Sequence, residues 1–220
     1  RDELDVGLLM DLCAYLHYAG EYEQSNQACQ AAERRADALY TKSIRQQTAA
    51  YLSNDNAISF QGEDYERLFL HVVGMLNYAA LNQPQSALVE ARKLNNKAQY
   101  FKDNPEEAVS RQQDEPLGRY IAGLLYEENR ENNDALIGFK KSIRSFDSNP
   151  KMPIPAALPQ DATRVAHLHG MQGEEAKLKK RFGPFNKKFP LTKQTGEVIV
   201  VFENGYNAYK VERDGLPYQP

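Results

Sequence analysis

The sequence predicts a mainly α-helical chain, an irregular stack of three to four helical hairpins followed by a small C-terminal β-hairpin. Three observations carry that reading. Apolar residues recur at three- and four-residue spacing through most of the chain before Gly183. Short polar turns ("AGEY", "NQPQ" and "ENRENND") each separate two such runs. After Gly183-Pro184 the pattern changes to β-branched and aromatic residues in "GEVIVVFENGYNAYKV", with Asn204-Gly205 as a strong hairpin turn signal.

The first helix is read from Leu8, Leu9, Leu12, Leu16 and Ala19, and Gly20 ends it. A second helix carries Tyr22, Ala28, Ala32, Ala36 and Leu39 on one side and extends toward Ile44 and Leu52. "SNDNAISFQGED" reads as a loop. Glu63 or Asp64 starts the next helix, Asp64 being the better N-cap residue. That helix holds Leu68, Val72, Met75 and Leu76 and ends near Asn82; Pro84 suits the first turn of its partner. Residues 102–114 read as a connector or weak helix, and a third pair covers about 116–146. The four prolines of "SNPKMPIPAALPQ" argue against a helix interior. The resulting division is a helical array over 1–147, a Pro-rich connector over 148–160, a short helical hairpin over 161–183, and a linker with β-hairpin over 184–220.

Composition narrows the function classes. With 27 Lys+Arg against 30 Asp+Glu, the net charge of −3 exerts no general pull on nucleic acid. No apolar run reaches the length that spans a bilayer. The chain starts at Arg1 with no signal-like segment, which reads as a mature or trimmed product. GxSxG, P-loop and GxGxxG motifs are absent, and so is any cofactor signature. The four histidines (His17, His71, His167 and His169) lack metal-ligand spacing, so no metal site is expected.

Aligning the hairpins on their turns exposes a shared skeleton. Ser25, Ala87 and Ala135 fall together early in the second helices, and Cys29, Ala91 and Phe139 follow one turn later. Leu16, Tyr78 and Tyr126 precede them on the first helices, as do Cys13, Met75 and Gly123 one turn earlier. Small residues allow helix backbones to approach, and aromatics fill the gap between hairpins. This skeleton resembles the tetratricopeptide repeat, most closely in Gly123, Tyr126, Ala135 and Phe139. Met75 departs from it, and so does the wide spacing of the equivalents 25, 87 and 135, where the repeat has about 34 residues. The expected fold is therefore an irregular tetratricopeptide-like stack, the alternative being an irregular bundle.

"LYTKSI", "NDNAISFQGEDYERL", "MLNYAAL" with "ALVEARKLNNK", and "GEVIVVFENG" together resemble an uncharacterised family of Gram-negative envelope (outer-membrane) lipoproteins with tetratricopeptide-like helices. That resemblance implies export to the periplasm and tethering to the outer membrane by a lipid on a cysteine upstream of Arg1. It implies no activity, and it implies a longer chain continuing past Pro220.

The leading expectation is a non-enzymatic protein-binding scaffold that helps assemble or stabilise an envelope or secretion complex. Its partner would be a protein or peptide of the envelope, and its oligomeric state is left open. By resemblance, Met10, Ala14, His17 and Tyr18 of the first hairpin and Val72, Leu76 and Ala79 of the second face the ligand groove. Asn54, Asp55, Asn56, Glu90, Arg92 and Asn95 form a polar cluster that either binds a partner or anchors the long loop. Glu63, Asp64 and Glu66 either cap a helix or, with Glu90, form the carboxylate pair of a cell-wall glycan-processing enzyme. A third reading is a structural spacer without a groove ligand. The two cysteines, Cys13 and Cys29, sit on opposing helices, either as packed thiols or as a disulfide. The basic run "KLKKRFGPFNKKF" is either a solvated helix end with inward phenylalanines or a contact for anionic surfaces. The β-hairpin edge is a separate place for another chain to pair.

Overall fold

A computed structural model describes residues 5–47, 60–104, 115–148, 152–184 and 198–201, with backbone alone for 40–47. Among them are eight helices: α1 (Val6–Tyr18), α2 (Tyr22–Gln47), α3 (Asp64–Ala80), α4 (Pro84–Asp103), α5 (Pro116–Glu128), α6 (Asn132–Asp147), α7 (Ala157–Leu168) and α8 (Gln172–Phe182). The chain divides into two compact units, Arg1–Asn186 and Lys187–Pro220, and every described helix belongs to the first. In the second unit, 198–201 are exposed and belong to no strand, and the remainder of the expected β-hairpin lies outside the described residues. No described helix is long and apolar enough to cross a membrane.

The helices pair in sequence as four antiparallel hairpins, so the fold is helical and repeat-like. Within the stack, α2 packs on α3, α4 on α5 and α6 on α7, and the first helices touch one another as α1 on α3 and α3 on α5.

Each hairpin turns by the same device. One residue after each first helix takes a left-handed conformation: Gly20 (φ 80°), Asn82 (φ 55°), Arg130 (φ 66°) and Gly170 (φ 68°). The next amide then reaches back to a carbonyl of the first helix: Glu21 N to Leu16 O (2.9 Å), Gln83 N to Tyr78 O (2.8 Å), Glu131 N to Tyr126 O (2.8 Å) and Met171 N to Ala166 O (2.8 Å). This is the helix-ending pattern that satisfies orphan carbonyls, and it suits glycine best. Counted from these turns, the fourth hairpin shares the register of the other three, a match the sequence skeleton did not include.

That common register sets the core. Ser25, Ala87 and Ala135 are buried, as are Cys29, Ala91 and Phe139. Gly123 is needed where α5 meets α6: a Cβ there would lie 2.5 Å from the Phe139 ring. An apolar cluster runs from Val72 and Met75 through Leu88, Ile121, Leu136 and Phe139 to Val165 and Leu178.

Helix boundaries follow capping chemistry. Asp5 caps α1 by accepting from Gly7 N at 2.8 Å, and Glu115 caps α5 by accepting from Gly118 N at 3.1 Å. Pro84 and Pro116 stand in first turns, where the missing N–H costs nothing. Two boundaries differ from expectation. The N-cap of α3 is Glu63, because Glu66 reaches back to accept from Glu63 N at 2.7 Å, while Asp64 is already helical and buried. Helix α7 begins at Ala157, inside the segment read as connector, because Pro159 falls in its first turn and is tolerated there.

Candidate functional site

The seam between the first two hairpins holds the densest polar constellation. Asn77 of α3 is fully buried; its Nδ2 donates to Ser25 Oγ (2.8 Å) and Asn26 Oδ1 (3.0 Å) of α2. His17 of α1 approaches Asn77 Oδ1 through Nδ1 at 2.6 Å, and Ser25 passes its own hydrogen to Cys13 O at 2.7 Å. Beside them Cys13 and Cys29 are joined by a disulfide with a Cα–Cα distance of 5.0 Å, fastening α1 to α2.

One turn further along, charges from three helices interlock. His71 of α3 places Nδ1 2.7 Å from Glu90 Oε2 of α4, and its buried Nε2 lies 3.6 Å from Glu33 Oε1 of α2. Lys93 bridges Glu33 (3.0 Å) and Glu90 (3.2 Å), and Lys97 reaches Asp37 at 3.1 Å. Arg67 donates to Asp37 at 2.7 Å and lies over the Phe101 ring. Burial opposes ionisation of Glu90, but the hydrogen bond and charge of His71, joined by Lys93, outweigh it and hold the carboxyl below its ordinary range. Burial likewise opposes ionisation of Asp37, and Lys97 with Arg67 prevails there too. The cleft above this network, lined by Asn26, Glu33, His71, Gly74, Tyr78 and Glu90 among others, has room for about one water molecule. Its chemistry is charge pairing across helices.

The later seams are tied the same way. Arg119 of α5 donates to Asn95 Oδ1 at 2.8 Å, and Arg92 reaches Glu131 at 3.4 Å. Arg164 of α7 is held by Glu127 of α5 through both nitrogens and by Asp161 at 3.2 Å, while Tyr120 hydrogen-bonds Asp161. Lys140 of α6 pairs with Glu174 of α8.

These contacts relocate several residues singled out by sequence. Glu90, Arg92 and Asn95 do not form one polar site: each ties α4 to a neighbouring helix, Glu90 toward α3 and the other two toward the third hairpin. Asn54, Asp55 and Asn56 lie outside the described residues. Glu63 and Glu66 are engaged at the start of α3, and Glu66 is not among the residues lining the cleft that holds Glu90. Val72, expected on an open face, is 1% exposed and belongs to the core, because α5 packs against that side of α3. His17 is half-buried against Asn77, and Tyr18 is exposed. Leu76 is half-buried and Ala79 exposed, still on the first-helix face. In the basic run, Lys177, Lys179 and Arg181 pair with Glu174, Glu175 and Asp147, and Phe182 packs against the core.

Sequence reasoning missed Glu33, Asp37, His71, Asn77, Lys93, Lys97 and Arg164. One signal was available: His71 and Asn77 interrupt the otherwise apolar face of α3 at Leu70, Val73 and Gly74. Buried polar side chains at such positions require partners.

No family model, curated protein or solved structure matches the chain.

Proposed function

We propose that this chain is a non-enzymatic protein-binding scaffold whose four hairpins form a tetratricopeptide-like stack. Its first-helix face receives an extended peptide or a partner helix of the bacterial envelope. One observation carries the reading: solvent-reaching apolar residues recur on that face in the register of the turns. Six residues before the first three turn residues stand Ala14, Leu76 and Leu124, half-buried, while the fourth hairpin has buried Arg164 there. Two before stand Tyr18, Ala80 and Leu168, exposed, with Glu128 in the third hairpin; thirteen before, in the second and third hairpins, stand Phe69 and Leu117, exposed. A repeated strip of this kind suits a ligand with regularly spaced apolar side chains. The Cys13–Cys29 disulfide supports a place outside the reducing cytosol, in line with the resemblance to periplasmic lipoproteins tethered to the outer membrane.

The experiment is selection of displayed peptides on the chain, followed by affinity measurements on variants. Leu76→Asp and Leu124→Asp should weaken a selected peptide by about tenfold or more. Val89→Asp and Ile137→Asp, on exposed positions of α4 and α6, should leave its affinity unchanged. Equal losses from both pairs contradict the proposal, and failure to select any peptide favours the spacer reading.

A further inference from the structure

The outer side of α1 carries a stripe of Leu8, Leu12 and Tyr15, which are 58%, 40% and 72% exposed. They stand twelve, eight and five residues before the turn residue Gly20. The same three positions are Leu70, Gly74 and Asn77 in α3, Gly118, Ala122 and Leu125 in α5, and Leu158, Ala162 and Val165 in α7. All nine are buried on the side where α2, α4 and α6 pack. Among the described residues, a face that is covered three times is thus left open once, with larger side chains at two of its three positions.

The other end of the stack presents the counterpart. Helices α2, α4 and α6 place Asn26, Leu88 and Leu136 six residues after their turns, buried at the seams. Ten after, they place Gln30, Arg92 and Lys140, which reach Tyr78, Glu131 and Glu174 of the next hairpin. In α8 those two positions are Ala176 and Lys180, exposed, beside exposed Gly173 and Lys177. Sizes are exchanged relative to the last two internal seams. There a leucine on the covering helix accompanies an alanine on the covered one, whereas here alanine is on α8 and Leu12 is on α1. Charges match as well. Lys180 stands where Arg92 and Lys140 find acids, and hairpin one offers exposed Glu21, the equivalent of Glu131, with Asp11 flanking the stripe.

We propose that α8 of one copy docks on α1 of a second copy, head to tail, extending the internal stacking pattern between molecules. A symmetric pairing of α1 with α1 would bring Asp11 toward its own copy, which like charges disfavour. A heterologous contact of this kind builds open chains or rings rather than closed dimers.

Sedimentation of the full chain at rising concentration tests this, with Leu12→Glu and Ala176→Glu as variants; both residues are solvent-exposed, and circular dichroism checks that each variant folds. The wild type should form species larger than a dimer, each variant alone should stay monomeric, and their equimolar mixture should form a dimer and nothing larger. A wild type that remains monomeric overturns the proposal and leaves the α1 face to a different helix. Dimers of Ala176→Glu alone overturn it in favour of symmetric pairing. A monomeric mixture overturns it also.

Discussion

Ser25 Oγ lies 2.8 Å from Asn77 Nδ2, which places a hydroxyl of α2 and an amide of α3 in one buried chain of hydrogen bonds across the first two hairpins. The chain runs from His17 through Asn77 and Ser25 to the Cys13 carbonyl. It uses both amide hydrogens of Asn77 and leaves the side chain fully satisfied out of water.

Removing the centre of that chain should be costly. Asn77→Ala deletes three hydrogen bonds and leaves buried Ser25 and Asn26 short of a partner. A loss of about 2–4 kcal/mol is expected in urea unfolding, against about 1 kcal/mol for Ser25→Ala. Equal, small effects would show that the seam is held by apolar packing alone.

The disulfide between Cys13 and Cys29 closes a loop of 16 residues in sequence separation. Loop-closure entropy assigns such a link about 3 kcal/mol, acting mainly on the unfolded chain. Reductant, or Cys13→Ser with Cys29→Ser, should lower the midpoint of thermal unfolding by several degrees. Alkylation of the unfolded, unreduced protein should add no label to either cysteine.

The turn residues offer a test in the opposite direction. Asn82 and Arg130 occupy the left-handed conformation that Gly20 and Gly170 adopt without strain. Arg130→Gly should therefore stabilise the chain by roughly 0.5–1 kcal/mol, and Gly170→Ala should destabilise it by about the same amount. Chemical denaturation of both variants checks the sign of each change.

Glu174 is held by Lys140 across the last seam and by Lys177 on its own helix at 2.9 Å, which lowers its carboxyl from 4.5 to about 2. A depressed folded-state value contributes stability above the unfolded one. That contribution is whole above about pH 4.5 and is lost as pH falls toward 2. Carboxyl NMR titration should place Glu174 near the low value in the wild type. Lys140→Met should raise it toward the ordinary range and flatten stability across that window.

Much of the hairpin order was legible because it is written in local chemistry. Gly20, the "NQPQ" turn and Pro84 mark boundaries by backbone geometry alone, and Ala87, Ala135 and Phe139 mark close helix contacts by size. The start of α7 was obscured because prolines at 153 and 155 precede one at 159 that a first turn accepts. The covered side of α1 was not legible for a different reason: Leu8 and Leu12 share helical spacing with Leu9 and Leu16, so periodicity alone did not tell the covered side from the open one. The seam charges were the hardest to read. Glu33, His71, Glu90 and Lys93 are dispersed over 60 positions and meet only once α2, α3 and α4 are stacked. A charged residue on a helix is otherwise indistinguishable from a solvated one.

The central claim is that the first-helix face of the stack is where a peptide or helix of the envelope lies. Amide chemical-shift mapping with a selected peptide tests it most directly. The largest changes should fall at Tyr18, Leu76, Ala79, Ala80 and Leu124, with Val89 and Ile137 unmoved. A map centred on α4 and α6, or spread evenly over first and second helices alike, would contradict it.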